Sequence, residues 1–191
     1  MSELPNSSSI RFDPFDLQEA MPNLLRWLAD PDVQPWYDEG EVTPENLSER
    51  FAGEPAVRQY TITIEGEPAG YIQLYRLDHS PEYQRQVDVD PEAVAMDLFI
   101  GDPERRNRGW GSEVIRACLD RIIFGEMDAK LAMIAPDPKN ARAVRSYEKA
   151  GFRQVKTVYV EDELPGNTGY ELIMLLPREE WAEGARATSA S

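Results

Sequence analysis

Apolar residues recur at intervals of three and four positions in several parts of the chain, which is the pattern of amphipathic helices. In residues 15–28 these positions begin at Leu17 and end at Leu28. Thr43 followed by Pro44 has the residue types that start a helix. Helices are predicted over residues 15–28, 44–51, 113–124 and 140–150.

Shorter segments alternate between apolar and polar residues, or are apolar throughout, as strands are. Residues 60–65 alternate, and Gly66 provides the turn into a partner strand over residues 69–77. Residues 94–100, VAMDLFI, are mostly apolar and predict a central strand. The polar residues 78–92, with five acids among them, predict a long loop. The remaining predicted strands cover residues 130–135, 152–160 and 170–176.

These segments predict a mixed α/β fold around one sheet. A chain of 191 residues suits a single domain, which we expect over residues 11–182, with disordered tails at 1–10 and 183–191. No apolar run reaches the roughly 18–20 residues that span a bilayer. The N-terminal sequence also lacks a signal-peptide pattern, so we expect a cytoplasmic protein that does not bind membranes.

The formal net charge is −15, and it is unevenly distributed. Residues 1–100 contain 20 acidic and 6 basic residues, whereas residues 101–160 contain 8 acidic and 12 basic residues. An acidic chain argues against a nucleic-acid partner, because binding to phosphates needs a basic surface. A basic part within an acidic chain suggests two ligands of opposite charge, although ordinary surface variation produces such differences too.

The segment between the predicted strand 94–100 and the following helix has the composition of an anion-binding loop. It contains three arginines and two glycines immediately before the helix. Glycines let several backbone N–H groups point at one anion, and the helix dipole adds partial positive charge. The loop is neither a Walker motif nor a GxGxxG fingerprint, and a polar loop with a glycine-capped helix is the alternative interpretation.

Two motifs about thirty residues apart carry a family resemblance. RNRGWG at residues 106–111 fits RxxGxG, and NARAVRSYEKAGF occupies residues 140–152. Together they resemble the GNAT superfamily of acyl-CoA-dependent N-acetyltransferases. EGEPAGYIQLY at residues 65–75 and the aspartate at position 97 are similar to the aminoglycoside 6′-N-acetyltransferases within it.

The resemblance implies a GNAT fold of the α/β (α+β) class. Its single mixed central sheet has about six to seven strands, with helices on both faces and a V-shaped opening between strands 94–100 and 130–135. Acetyl-CoA, the co-substrate, would lie in that opening, its pyrophosphate on the backbone of residues 106–112. The implied acetyl-CoA-binding residues are Leu98, Phe99, Ile100, Arg105, Arg106, Arg108, Gly109, Trp110, Gly111, Ser112, Asn140 and Tyr147.

Asp97 and Tyr147 are the implied catalytic residues. Asp97 stands in an apolar strand, where an unpaired carboxylate is costly, so it is either hydrogen-bonded for structure or faces a cleft. There it would take the proton of the acceptor amine, and Tyr147 would protonate the departing CoA thiolate. Tyr147 alternatively packs between helices, and Asn140 alternatively caps a helix.

A cationic acceptor would be bound by carboxylates and aromatic rings. The implied acceptor-binding residues are Trp36, Tyr37, Asp90, Asp97, Asp137 and Asp162. The alternatives are a turn for Asp137 and core packing for the two aromatic residues. The acidic part of the chain suits an aminoglycoside and would equally suit a polyamine.

The predicted function is therefore acetylation of a primary amine, expected to be the 6′-amine of aminoglycoside antibiotics, by direct transfer in a ternary complex. The alternatives are another small-molecule amine, such as a siderophore intermediate or polyamine, a peptide amine, or a non-catalytic acyl-CoA-binding domain. The protein is expected to be a monomer or homodimer. No metal site is predicted, because His79 has no partner at ligand spacing, and Cys118 falls on an apolar helix face.

Overall fold

The computed structural model describes residues 5–37, 40–161 and 169–189, and side chains as far as residue 183. In this part of the chain seven strands form one sheet in the order β1-β2-β3-β4-β5-β7-β6. Neighbouring strands are antiparallel except for β4 and β5, which are parallel. The strands are β1 (Ile10–Pro14), β2 (Arg58–Ile64), β3 (Glu67–Arg76), β4 (Val94–Ile100), β5 (Leu131–Ile134), β6 (Arg153–Tyr159) and β7 (Tyr170–Pro177).

Two of the described helices, α2 and α5, begin at caps that the sequence indicated. The Thr43 hydroxyl accepts the N–H of Asn46, and the Asn140 amide oxygen accepts the N–H of Ala143. Gly151, at φ 108°, ends the fifth helix. The helices are α1 (Leu17–Leu28), α2 (Pro44–Arg50), α3 (Pro81–Val87), α4 (Trp110–Cys118, continuing in wider turns over Leu119–Glu126), α5 (Ala141–Ala150) and α6 (Arg178–Ser189).

Helices cover both faces of the sheet. Alternate residues of β3 and β4, such as Ile72 and Met96, pack against α4 and α5. On the opposite face Tyr71 and Phe99 pack against α1 and α2, and Ala95 packs near α3. The predicted single mixed sheet with helices on both faces is confirmed.

The V-shaped opening comes from the parallel pair at the centre of the sheet. β4 and β5 pair only at Val94 with Ala132 and at Ala95 with Met133. Beyond Ala95 the described strands no longer pair, so the carboxyl-terminal half of β4 borders a gap. A ligand can therefore reach the middle of the sheet from this side.

Among the described strands and α-helices, three were not predicted from the sequence. β1 begins at Ile10, because β2 supplies backbone partners and the Arg121 guanidinium bonds to the Ile10 and Ser7 carbonyl oxygens. α3 lies within the predicted loop 78–92 and buries Val87. α6 begins at Arg178, and its Trp181 ring lies 6.2 Å from that of Phe124. A two-turn helix such as α3 and an edge strand such as β1 carry too little periodicity to be recognised without their packing partners.

Candidate active site

A cleft of about 750 Å³ lies where β4 and β5 separate. Its walls come from β3, β4, the segment after α1, the loop before α4, and α5. The two motifs that the sequence places thirty residues apart therefore meet in one cavity. Gly111 of α4 shows how closely the two helices approach, because a Cβ atom added there would lie 3.6 Å from the Ser146 Oγ atom of α5.

Asp97 lies on β4 directly opposite Gln73 of β3 and faces the cleft. The Gln73 side-chain amide donates to the Asp97 carboxylate over 2.9 Å, and Tyr75 also bonds to it. Burial raises the pKa of Asp97 above its ordinary value, and the two hydrogen bonds act in the opposite direction. Asp97 is thus both hydrogen-bonded and exposed to the cleft, and it is a stronger base than a surface aspartate.

Tyr147 reaches the cleft from α5 and remains 8% exposed. Its ring lies edge-on to Phe152 at 6.3 Å, so the side chain packs against a neighbour as well as lining the cavity. Burial, followed by the charge of Asp97, raises the pKa of Tyr147, and its hydroxyl keeps its proton at neutral pH. Asn140 caps α5, which confirms one of its two predicted roles, and it lines the same cleft. Its contact with acetyl-CoA stays a prediction.

The start of α4 has the geometry of an anion site. Gly109 precedes the helix at φ 88°, a conformation that side chains disfavour, and provides no side-chain cap. The first N–H groups of α4 therefore depend on another acceptor. Gly109, Gly111 and Ser112 line the cleft, and the Ser112 hydroxyl donates to the Gly109 carbonyl over 3.0 Å.

The three loop arginines are placed differently from one another. Arg105 pairs with Glu65, and its guanidinium lies 5.8 Å from the ring centre of Trp110. Arg106 forms two hydrogen bonds with Asp30. Arg108 is exposed and is not among the residues that line the cleft.

Trp110, predicted to bind acetyl-CoA, is buried in the core and is not among the residues that line the cleft. Leu98, Phe99 and Ile100 of β4 line the cleft, and their contact with the acetyl group stays a prediction.

Basic residues of α5 also line the cleft, and the sequence analysis missed them. Arg142, Arg145 and Lys149 follow one another at intervals of three and four residues and so share a helix face. The spacing could have indicated a basic helix face, but solvent-exposed helix faces commonly show the same spacing.

The predicted acceptor residues are only partly brought together. Trp36 is 39% exposed and lines the cleft, so it does not fill the core. Tyr37 lines the cleft and also lies edge-on to Phe99, with ring centres 4.8 Å apart. Asp137 lines the cleft while its carboxylate accepts the N–H of Lys139 over 2.7 Å, which makes the predicted turn as well.

Asp90 is exposed and does not line the cleft. Its carboxylate accepts the N–H of Glu92 over 2.8 Å in the turn before β4, so it stabilises that turn. Asp162 lies outside the described residues.

Four further polar residues of the cleft were absent from the sequence prediction: Gln73, Tyr75, Tyr83 and Glu171. Gln73 and Tyr75 share a face of β3, and the Tyr83 hydroxyl of α3 donates to Glu171 of β7 over 2.6 Å. Burial and the neighbouring charge of Glu171 raise the pKa of Tyr83. Polar residues at alternate positions of an otherwise apolar strand could have revealed Gln73 and Tyr75, whereas the other pair needs the tertiary fold.

Residues outside the cleft add no second centre in the described part of the chain. No three histidine, cysteine or acidic side chains there come together in a way that could hold a metal ion. Cys118 is buried in the main core, and burial raises the pKa of its thiol. No helix among the described residues is long and apolar enough to cross a bilayer.

The cleft, the capless helix start and the parallel strand pair define a class of enzyme. Residues 16–160 match the acetyltransferase (GNAT) domain family, and the chain belongs to it. It is an N-acetyltransferase whose acetyl donor is acetyl-CoA, as the two motifs predicted.

Its curated relatives include an aminoglycoside N(6′)-acetyltransferase type 1 from Klebsiella pneumoniae, 28% identical over 145 residues. That match covers 73% of this chain and 72% of the relative. A kanamycin resistance protein from Rhizobium radiobacter is 31% identical over 75 residues, which cover 39% of this chain and 68% of the relative.

Solved structures share the fold. The aminoglycoside acetyltransferase AAC(6′)-Ib in complex with coenzyme A and kanamycin superposes with a TM-score of 0.79 at 24% identity, covering 93% of this chain and 99% of that one. An aminoglycoside N(6′)-acetyltransferase from Legionella pneumophila gives a TM-score of 0.69 at 22% identity, covering 96% and 98%. The predicted similarity to this group of enzymes is confirmed.

Proposed function

We propose that this N-acetyltransferase acetylates the 6′-amine of aminoglycosides by direct transfer between two bound substrates. The observation that carries the proposal is Asp97, a carboxylate at the centre of the sheet that faces the cleft where β4 leaves β5. Support for the acceptor comes from the relatives that are named as aminoglycoside N(6′)-acetyltransferases.

In this proposal acetyl-CoA enters along the gap between β4 and β5. Its pyrophosphate accepts hydrogen bonds from the first N–H groups of α4, where the helix dipole favours negative charge. The other phosphate of acetyl-CoA, outside the pyrophosphate, lies near Arg142, Arg145 and Lys149, which line the cleft from α5. Because β4 does not pair with β5 beyond Ala95 in the described sheet, backbone N–H groups on that edge are available to polarise the thioester carbonyl.

The acceptor amine must lose a proton before it can attack. Asp97 takes that proton, the nitrogen attacks the thioester carbon, and a C–N bond forms while the C–S bond breaks. Tyr147 gives its hydroxyl proton to the departing thiolate, and the second proton that the nitrogen loses as the amide forms restores the tyrosine hydroxyl. The charge of Asp97 raises the pKa of Tyr147, so neutralising Asp97 makes the tyrosine a better acid when the thiolate leaves.

The acceptor lies on the side of the cleft that carries carboxylates and aromatic rings. Trp36 offers a partly exposed ring to the sugar, and Asp137 and Glu171 offer negative charge to its further ammonium groups. These residues would bind a cation at several points, which suits an acceptor with more than one amine.

The test is thiol release from acetyl-CoA by the purified protein with different acceptors. Kanamycin and tobramycin should support turnover, and an analogue that lacks the 6′-amine should not. Turnover confined to spermidine, a lysine-type amine or a short peptide would refute the aminoglycoside assignment and leave the acetyltransferase mechanism in place.

A further inference from the structure

Arg106 belongs to the RxxGxG motif, yet its side chain points to the segment after α1 rather than to open solvent. Its Nη1 and Nη2 atoms donate to the two Asp30 carboxylate oxygens over 3.1 and 2.5 Å. The Nη1 atom also lies 3.7 Å from the Asp32 carboxylate, and the side chain is only 8% exposed. The Nε atom is buried. The guanidinium is therefore already engaged in a two-point ion pair.

Asp30 organises the segment that follows it. Its carboxylate accepts the N–H of Asp32 over 2.9 Å. Its carbonyl oxygen accepts the N–H groups of Val33 and Gln34, both over 2.9 Å. These bonds start the 3₁₀ helix Gln34–Trp36, which ends at Tyr37.

A second arginine fixes the same segment from α5. The Arg142 guanidinium donates to the Asp32 carbonyl oxygen over 3.0 Å. The loop before α4 and the start of α5 thus each bond to the residues that precede Trp36 and Tyr37. Two elements on the proposed acetyl-CoA side of the cleft therefore bond to the segment that carries Trp36 and Tyr37. They are the loop before α4, through Arg106, and α5, through Arg142.

We infer that Arg106 is a positioning residue for the acceptor: its ion pair with Asp30 holds Trp36 and Tyr37 in the cleft, and the pyrophosphate is held by backbone N–H groups without it. The inference rests on the proposed function in one respect only, which is that the acceptor binds on the side of the cleft where Trp36 and Tyr37 lie. It assigns to Arg106 a different role from the acetyl-CoA binding that the family resemblance implied.

The experiment compares Asp30→Asn, Arg106→Gln and the double variant. Each single variant should raise the KM for kanamycin by about tenfold, because small displacements of positioning groups have large effects. The Kd for acetyl-CoA, measured by calorimetry, should stay within about twofold. The double variant should resemble either single variant, since both remove the same interaction. Arg106→Lys, which keeps the charge and one bond, should restore part of the kanamycin KM.

Asp128→Asn is the matched control. Asp128 also forms an ion pair with an arginine, Arg178, but lies away from the cleft. Its backbone, at φ 50°, tolerates asparagine. This variant should leave both constants unchanged, and thermal unfolding of all variants checks that they are folded.

Two results would overturn the inference. Arg106→Gln could weaken acetyl-CoA binding by about tenfold or more while Asp30→Asn does not, which would make Arg106 a phosphate ligand. Alternatively, both folded variants could keep the wild-type kanamycin KM.

A readout without an acceptor separates this inference from the proposed function. Acrylamide should quench Trp36 fluorescence more in Asp30→Asn than in the wild type, and the increase should vanish in a Trp36→Phe background. If the wild-type enzyme does not turn over kanamycin, the proposed function fails and the quenching result still decides the role of Arg106. Equal quenching of Asp30→Asn and the wild type would then refute the positioning role of Arg106.

Discussion

Gln73 and Asp97 are direct partners in the pairing of β3 with β4, and the Gln73 amide donates to the Asp97 carboxylate over 2.9 Å. This bond favours the ionised carboxylate and so lowers the pKa that burial raises. A residue on the neighbouring strand therefore limits how far burial raises the pKa of the proposed base.

Gln73→Leu should move the acid limb of the kcat/KM profile to higher pH. Without the donated hydrogen bond the pKa of Asp97 rises further, so a larger fraction is protonated and inactive at mildly acidic pH. The profile is measured by thiol release between pH 5 and 9. Gln154→Leu is the control, because Gln154 lies on the edge strand β6 and its amide donates over 2.7 Å to the carboxylate of Glu148 on α5. An unshifted acid limb in Gln73→Leu would refute the coupling.

Asp97→Asn should stabilise the protein while it abolishes most activity. The folded-state pKa of Asp97 is raised, so stability is full below the unfolded-state pKa and is lost as pH rises through the folded-state pKa. The uncharged amide of Asp97→Asn does not ionise, so this variant does not lose stability as pH rises. We expect a Tm at pH 7 higher by roughly 2–4 °C, the effect of about 1 kcal/mol in a domain of this size.

The Tm difference between Asp97→Asn and the wild type should disappear as pH falls below about 4, the ordinary aspartate pKa. Calorimetric scans at several pH values measure it. A difference that does not depend on pH would show that burial of the charge is not its cause.

Tyr147→Phe should lower kcat by about 100-fold at saturating substrates, the usual contribution of a general acid. The ring contact with Phe152 is retained, so folding should change little. Tyr159→Phe is the control, because that tyrosine is 61% exposed on β6 and should show wild-type kcat. Wild-type turnover by Tyr147→Phe would leave the tyrosine with a packing role alone.

Arg145→Gln should raise the KM for acetyl-CoA by about 2–5-fold, as expected for one exposed charge pair, and the effect should shrink at high salt. With an acetyl-dephospho-CoA donor, which lacks the phosphate outside the pyrophosphate, Arg145→Gln should no longer raise the KM if Arg145 binds that phosphate. Lys156→Gln serves for comparison, since Lys156 pairs with Asp88 outside the cleft. Equal effects of the two substitutions would argue against a phosphate site on α5.

Gly101→Ala should destabilise the fold by about 1–3 kcal/mol, the usual cost of overpacking. An added Cβ atom would lie 2.2 Å from the Cγ atom of Trp27, whose ring packs edge-on to Phe99 at 6.2 Å. Gly111→Ala, where the nearest atom outside the helix backbone and chain neighbours would be 3.6 Å away, should unfold like the wild type. Chemical denaturation compares the two, and equal stabilities would contradict the steric argument.

Local sequence was enough for the elements with strong periodicity. The predicted central strand at residues 94–100 coincides with β4, and the predicted helix at 140–150 differs from α5 by one residue. β1 and α3 were missed, because short elements depend on β2 and on the buried environment of Val87. The same limit applies to the pair of Tyr83 and Glu171, which are far apart in sequence and meet only in the fold.

The sequence by itself determined the family, the sheet with its central strand, and the helix cap at Asn140, because motifs, caps and apolar periods are local properties. The catalytic roles of Asp97 and Tyr147 stay predictions. Only the tertiary structure decided what the charged side chains face. Arg106 pairs with Asp30, and Asp90 stabilises a turn outside the cleft. The basic residues of α5 line the cleft. The partners of a charged side chain are set by strand order and helix packing, which bring together residues that no local pattern connects.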